Sequence, residues 1–166
     1  NVLFPREVVR VVTPGTVVEP GLLSAGENNY LAAVCLQENR AGIAYLDITT
    51  GEFTGTQLEL EEGLNAVRTE LTRINPAETL RSEVQELPNG FPGTLTAVPG
   101  WYFEPGRAEE LLKGVFGVGS LDGFGLKSMP LTTRAAGALL KYLQETNQNA
   151  LSSLKSFGTY SLGDFM

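Results

Sequence analysis

An α/β fold, a mixed sheet that opens with an antiparallel three-strand meander and is flanked by α-helices, follows from three observations on this 166-residue sequence. First, Tyr30–Leu58 divides into three β-type runs, Tyr30–Leu36, Ala41–Ile48 and Gly51–Leu58, joined by short polar turns. Second, the apolar spacing changes directly afterwards from a strand period to a helix period. Third, the remainder alternates short β-prone runs with amphipathic helical stretches. Apolar runs bounded by turn residues argue strands, and consecutive runs with tight connections argue antiparallel pairing.

In chain order, Asn1–Pro20 begins with the β-prone REVVRVV, which Pro14-Gly15 and Pro20-Gly21 break into turns. It reads as a strand or extended tail leading through an irregular linker, and Gly21–Asn29 as loop. Tyr30–Leu36 lacks a clean alternation, which predicts a strand covered on both faces and central in its sheet. Ala41–Ile48 is nearly as apolar, with Asp47 as its one charge. Over Leu60–Ile74 the residues Leu60, Leu64, Val67, Leu71 and Ile74 form one stripe. Acids come early and Arg73 late, the order a helix dipole favours, and Asn75-Pro76 ends the helix. This helix is expected to cross one face of the meander. Pro76–Ser82 and Gly93–Val98 are further short strands, the first entered after a helix and so able to run parallel to Tyr30–Leu36. Trp101-Tyr102-Phe103 is an aromatic cluster expected where the sheet edge is covered. Pro105–Phe116 is a second helix, with Pro in its first turn and Ala108, Leu111, Leu112, Val115 and Phe116 inward. Gly117–Gly125 is a glycine-rich loop. Thr132–Gln148 is a third helix, with Ala135, Ala136, Leu139, Leu140 and Leu143 on one face; Ser152–Met166 has no clear period. The order βββ–α–β–(β)–α–α is that of ribonuclease H-like domains, a generic α/β or α+β sandwich being the alternative.

Composition narrows the chemistry. Apolar content of 42% and charged content of 19% belong to an ordinary globular chain. Neither an apolar run of membrane-spanning length nor a secretory signal pattern is present. Cys35 is the single cysteine, so it forms no internal disulfide and reads as a small buried hydrophobe. The absence of His argues against common zinc and copper sites and against imidazole triads. Nineteen acidic against 12 basic residues give a net charge of −7, and the basic ones are scattered. Nucleic-acid affinity rests on Lys and Arg neutralising phosphates, so the chain alone is expected to bind DNA or RNA poorly.

Ribonuclease H-like nucleases hold two metals between converging carboxylates. The obvious candidates in the meander are Asp47 and Glu52, with Glu78, Glu104, Glu109 and Asp122 further along. Asp47 precedes a Thr49-Thr50-Gly51 turn, where an Asp commonly bonds the turn backbone; that is its expected role. The loop GVGSLDGFG follows a helix rather than opening one and completes no phosphate-binding motif, so its glycines read as a helix cap. The aromatics at Trp101–Phe103 could stack on bases, but without basic neighbours they read as core or interface. The exposed face of Pro105–Phe116 is a plausible docking surface.

Six blocks then carry a resemblance that composition does not show. They are REVVRVVTPGT (Arg6–Thr16), NNYLAAV (Asn28–Val34), GIAYLDITTGEF (Gly42–Phe53), ELTRINPAETL (Glu70–Leu80), FGVGSLDGFGL (Phe116–Leu126) and AAGALLKYLQETN (Ala135–Asn147). In this order they resemble the connector region of the MutS family of bacterial DNA mismatch-recognition proteins, over nearly the whole chain. The resemblance implies a piece of a longer cytoplasmic protein. Residues 1–20 would be the linker after a mismatch-binding domain, 21–150 the connector domain, and 151–166 the start of the lever domain. It implies a ribonuclease H-like fold without the nuclease carboxylates and no catalytic, cofactor or metal residues here, ATP and Mg²⁺ belonging to an ATPase domain elsewhere. Mismatched DNA and the dimer partner would be reached through other domains. It further implies a contact with MutL along the helix matching Arg107–Val115, making Arg107, Glu109, Glu110, Leu111 and Lys113 the partner-binding candidates. The family has a polar pair near Glu110 and Leu111, from which this chain departs; the apolar position of Leu111 puts Glu109, Glu110 and Lys113 ahead of it. The competing readings are a metal-dependent nuclease using Asp47 and a direct nucleic-acid-binding module.

Overall fold

The meander stands at the centre of a six-stranded mixed sheet of order β5-β4-β1-β2-β3-β6. The computed structural model describes residues 12–16, 29–61 and 63–162; most of the β-prone start, and all but Asn29 of the loop expected over Gly21–Asn29, lie outside them. Strands β1 (Leu31–Gln37), β2 (Arg40–Asp47) and β3 (Glu52–Glu59) are antiparallel, with Leu31 opposite Leu46 and Leu46 opposite Phe53. Helix α1 (Asn65–Ile74) then carries the chain across, which lets β4 (Glu78–Ser82) pair parallel with β1. Strand β5 (Thr94–Val98) adds parallel to β4, and β6 (Gly158–Thr159) parallel to β3. Leu31–Cys35 of β1 are all buried, as a strand covered on both faces must be. This is the expected α/β, ribonuclease H-like arrangement.

The sheet separates two cores. On one face Ala32, Val34, Ile43 and Tyr45 meet Val67, Leu71 and Ile74 of α1. On the other, Leu31, Ala33, Leu46 and Leu80 meet Leu131, Ala135, Leu139 and Leu143 of α3 (Pro130–Thr146). Each fully buried leucine contributes roughly 1.5–3 kcal/mol, so α3 is the main clamp on the sheet. Helix α2 (Pro105–Phe116) packs chiefly on α3 rather than on the sheet, burying Ala108 and Leu112. Its Leu111, Val115 and Phe116, expected to face inward, are only half-buried, because an outermost helix is covered along a narrow strip. The two helices approach closely at Gly137, where an added Cβ would lie 2.3 Å from Ala108 Cβ.

Some boundaries move for identifiable reasons. Helix α1 starts at Asn65, not Leu60: the Leu60 N–H still extends the meander by donating to the Asn39 carbonyl (2.6 Å), and Gly63 turns the chain with φ of 59°. Helix α3 starts two residues early because Pro130 fits a first turn, where its missing N–H is not needed. The aromatic cluster forms a 3-10 turn, Gly100–Phe103, that buries Phe103 and leaves Trp101 45% exposed. Among the described residues no helix is long and apolar enough to cross a membrane.

Candidate functional site

Two buried carboxyl groups stand where β1 begins. Asp47 closes β2 and Glu78 opens β4; in the register Glu78 stands beside Leu31 on one side, and Asp47 follows Leu31's partner Leu46 on the other. Asp47 is fully buried; its Oδ1 accepts from the Thr49 N–H (2.9 Å) and hydroxyl (2.6 Å), and its Oδ2 from the Asn29 N–H (3.3 Å). Its carbonyl accepts from the Gly51 N–H (2.8 Å). Asp47 thus secures its own turn, the role its place before Thr49-Thr50-Gly51 suggests.

Glu78 is 1% exposed and accepts four hydrogen bonds. Oε1 takes the Thr13 hydroxyl (2.6 Å) and the Gly15 N–H (2.9 Å); Oε2 takes the hydroxyls of Thr96 (2.7 Å) and Tyr142 (2.6 Å). Burial, and then the bond to Glu78, push the Tyr142 phenol above its ordinary pKa. A comparable arrangement lies on the α1 face of the sheet. Glu70 of α1, 3% exposed, accepts from Arg73 Nε (3.0 Å) and from the Tyr160 hydroxyl, and burial followed by that bond raises the Tyr160 pKa. The remaining carboxylates singled out from sequence are dispersed: Glu52 accepts from the Tyr30 hydroxyl (2.8 Å), and Glu104 caps α2. Among the described residues no group of three or more His, Cys, Asp or Glu side chains is placed to hold a metal ion. Burial pushes the Cys35 thiol up to about 11, which suits its place in the core.

Helix α2 presents the predicted partner-binding residues on two sides. Its bounds match the sequence reading; Pro105 occupies the first turn and Gly117, at φ of 66°, caps the end, so the glycine loop begins as a helix cap and not as a phosphate cradle. Residues three and four apart share a helix face. Arg107, Glu110 and Leu111 accordingly line one groove of about 400 Å³, shared with Tyr102, Lys141 and Gln144. Through Glu110, Leu111 and Gln144 it continues into a hollow of about 360 Å³ that reaches Leu151. Glu109 and Lys113 line a different hollow of about 330 Å³, together with Asp122, Lys127 and Arg134. The structure therefore groups three of the five candidates and sets the other two apart.

Beside the first groove stands a residue that helical spacing did not select. The Arg107 guanidinium lies 4.7 Å from the Trp101 ring centroid and Lys141 Nζ lies 5.3 Å from it. Cations over an indole face are attracted by about 0.5–1 kcal/mol at exposed sites, so this patch is partly preorganised. Its signal in the sequence was the aromatic cluster itself, while the cations come from two separate helices.

Glu104 orders the start of α2 by accepting from the N–H groups of Gly106 (3.0 Å) and Arg107 (2.8 Å). The Arg107 and Gly106 backbone bonds hold its carboxyl below the usual range. A depressed folded-state pKa stabilises the fold above the unfolded value and ceases to as pH falls through the folded value. The protection factors of the Gly106 and Arg107 amides, measured against the intrinsic exchange rate at each pH, are therefore expected to fall as acid titrates Glu104, and in Glu104→Gln to be low already at neutral pH. Equal protection in both proteins at neutral pH would reject the charged cap.

The model of the family described as MutS domain II matches residues 29–155. The DNA mismatch repair protein MutS of Dehalococcoides mccartyi is 41% identical over 166 residues, covering 99% of this chain and 19% of its own length. That of Syntrophobacter fumaroxidans is 41% identical over 172 residues, with the same coverage of 99% and 19%. That of Trichodesmium erythraeum is 40% identical over 179 residues, covering 97% of this chain and 19% of its own length. The chain thus spans about a fifth of the length of the curated relatives it matches. The matched residues run from the start of the meander past the end of α3, and the chain belongs to the MutS domain II family.

Proposed function

We propose that this chain is the connector module of a MutS-type mismatch repair protein. It catalyses nothing itself, ties a mismatch-binding domain (through residues 1–20) to lever and ATPase domains (from residue 151), and presents α2 to MutL. ATP and Mg²⁺ act in the ATPase domain, mismatched DNA is held by the full-length dimer, and the protein works in the cytoplasm. Membership of the family supports the connector role. The observation that carries docking is the groove of Arg107, Glu110 and Leu111 beside Trp101. Trp, Tyr and Arg around a mostly apolar hollow are the residue types that dominate protein interfaces.

The test uses the full-length protein, loaded with nucleotide, and the N-terminal domain of its cognate MutL. Reversing charge on the groove side, Arg107→Glu with Glu110→Lys, is expected to weaken binding about tenfold, or about 1.4 kcal/mol. Reversal on the other side, Glu109→Lys with Lys113→Glu, is expected to weaken it less. Unchanged affinity in the groove variant, with no MutL adduct from a crosslinker at position 110, would remove the docking assignment.

A further inference from the structure

Two of the large apolar side chains exposed among the described residues stand together. A Cβ on Gly100 would lie 3.8 Å from Val84 Cγ2, so Val84 (80% exposed) rests against the turn that carries Trp101 (45%). Exposed apolar side chains gathered within a polar rim mark interaction sites. The rim here is charged. The Trp101 ring holds the Arg107 guanidinium and the Lys141 ammonium, one from each helix that walls the groove of Arg107, Glu110 and Leu111. Among the described residues Arg107 has no carboxylate within ion-pair distance, and Glu104, whose carboxyl feels its charge, is spent on the Gly106 and Arg107 N–H groups. Lys141 meets Glu145 at 2.9 Å, but Glu145 is 54% exposed and an ion pair so placed is weak. A chain with 19 acidic and 12 basic residues thus carries a positive corner at the mouth of a mostly apolar groove.

The chemistry of the corner selects its occupant. A guanidinium fork and an ammonium held on one indole ring offer charged donors to a carboxylate. The groove beside them, lined by Tyr102 and Leu111, takes an apolar side chain. A nucleic-acid strand fits less well. Bases stack on an open aromatic face, whereas the Trp101 ring is already engaged by two cations, and Glu104, Glu110 and Glu145 stand close by to repel phosphates. We propose that Trp101, Arg107 and Lys141 read a carboxylate on MutL, and that the groove beside them seats an apolar side chain neighbouring that carboxylate in the same MutL segment. The proposal rests on docking of MutL at α2 and names what docks, an apolar–acidic segment. Glu110, one turn along α2 from Arg107, lies outside the corner and opposes an incoming acid.

Binding of the MutL N-terminal domain to the full-length, nucleotide-loaded protein should therefore respond with opposite signs to neighbouring charges. Arg107→Gln and Lys141→Gln are each expected to weaken it about threefold and to flatten its salt dependence. Glu110→Gln should leave affinity unchanged or raise it, and Trp101→Ala should lower it about tenfold or more. The acid on the partner is found by exchange. Each exposed Asp or Glu of the MutL domain is replaced by Lys, and one replacement is expected to weaken binding to the parent yet recover about half of the loss seen with Arg107→Glu. Parent-like affinity in Arg107→Gln and Lys141→Gln overturns the carboxylate reading, even where a crosslinker at position 110 still gives its MutL adduct and docking at α2 therefore stands. So does a loss in Glu110→Gln as large as that in Arg107→Gln, or the absence of any recovering replacement. If the two cation variants lose affinity for a single-stranded oligonucleotide while holding MutL, the corner serves a nucleic acid and the proposal falls. No adduct at position 110 removes docking and the proposal together.

Discussion

Glu78→Ala is expected to cost about 3 kcal/mol or more, since each buried polar group left without a partner costs about 1–3 kcal/mol. Tyr142, 8% exposed, loses the acceptor that its hydroxyl reaches at 2.6 Å, and Thr96 and the Thr13–Thr16 turn lose theirs in the same step. At this size 1 kcal/mol moves the melting temperature by about 2–4 °C, so a drop of roughly 10 °C is the anticipated result, with a lower urea midpoint at unchanged slope. Glu78→Gln keeps an acceptor oxygen and places an NH2 donor in the same volume, and should lose under about 1.5 kcal/mol. An equal loss in both variants would mean that charge, not the count of satisfied donors, is what the site requires. Gly15→Ala, whose added Cβ would press on Leu31 and Glu78 but leave every hydrogen-bonding group in place, should fall short of Glu78→Ala in the same assay.

Gly137→Leu is expected to lift α2 away from α3. Ala108 Cβ already lies 2.3 Å from where a Cβ at position 137 would sit, and Ala108 Cα 2.5 Å, so the helix backbones have no room to yield by rotamer changes alone. Overpacking costs about 1–3 kcal/mol, partly offset by about 1 kcal/mol of helix propensity gained on leaving glycine. The local effect should exceed the global one. Trp101, the single tryptophan, sits between cations from α2 and α3, so its emission should shift to the red before the main unfolding transition. Under the proposed docking, MutL binding should weaken with it, because the groove is walled by both helices. Parent-like emission together with a parent-like urea midpoint would show that the interface absorbs the added side chain.

Local features were legible in the sequence, and features made by distant residues were not. The meander, the double-sided burial of β1 and both ends of α2 follow from period and punctuation within a few residues. The turn bonding of Asp47 does as well, because Thr49 and Gly51 lie within four positions, whereas its bond from the Asn29 N–H, 18 residues away, does not. Glu78 gave no sign of its importance within PAETLRS, since its donors come from Thr13, Gly15, Thr96 and Tyr142, from 18 to 65 residues away. The α2 candidates could be listed from sequence, and helical spacing even separates Arg107, Glu110 and Leu111 from Glu109 and Lys113. Which hollow each set meets depended on where α3 lies. The start of α1 was misplaced because Leu60 continues the apolar stripe while its N–H belongs to the strand ladder.

The short pairing of β6 with β3 has a consequence for the order in which the sheet is completed. Thr54 and Gly158 are joined across 104 residues, through the Thr54 hydroxyl and the Gly158 carbonyl (2.9 Å), and Phe157 seals the junction against Phe53 at 4.7 Å between ring centroids. The three meander strands need only short loops and can pair early, whereas this contact waits on a large loop closure. Until Gly158–Thr159 arrives, the outer side of β3 presents unpaired backbone, the kind of edge that recruits strands from other molecules. A chain emerging from the ribosome therefore has its central sheet well before it has this border, and two residues 104 positions beyond their partners in β3 close that interval.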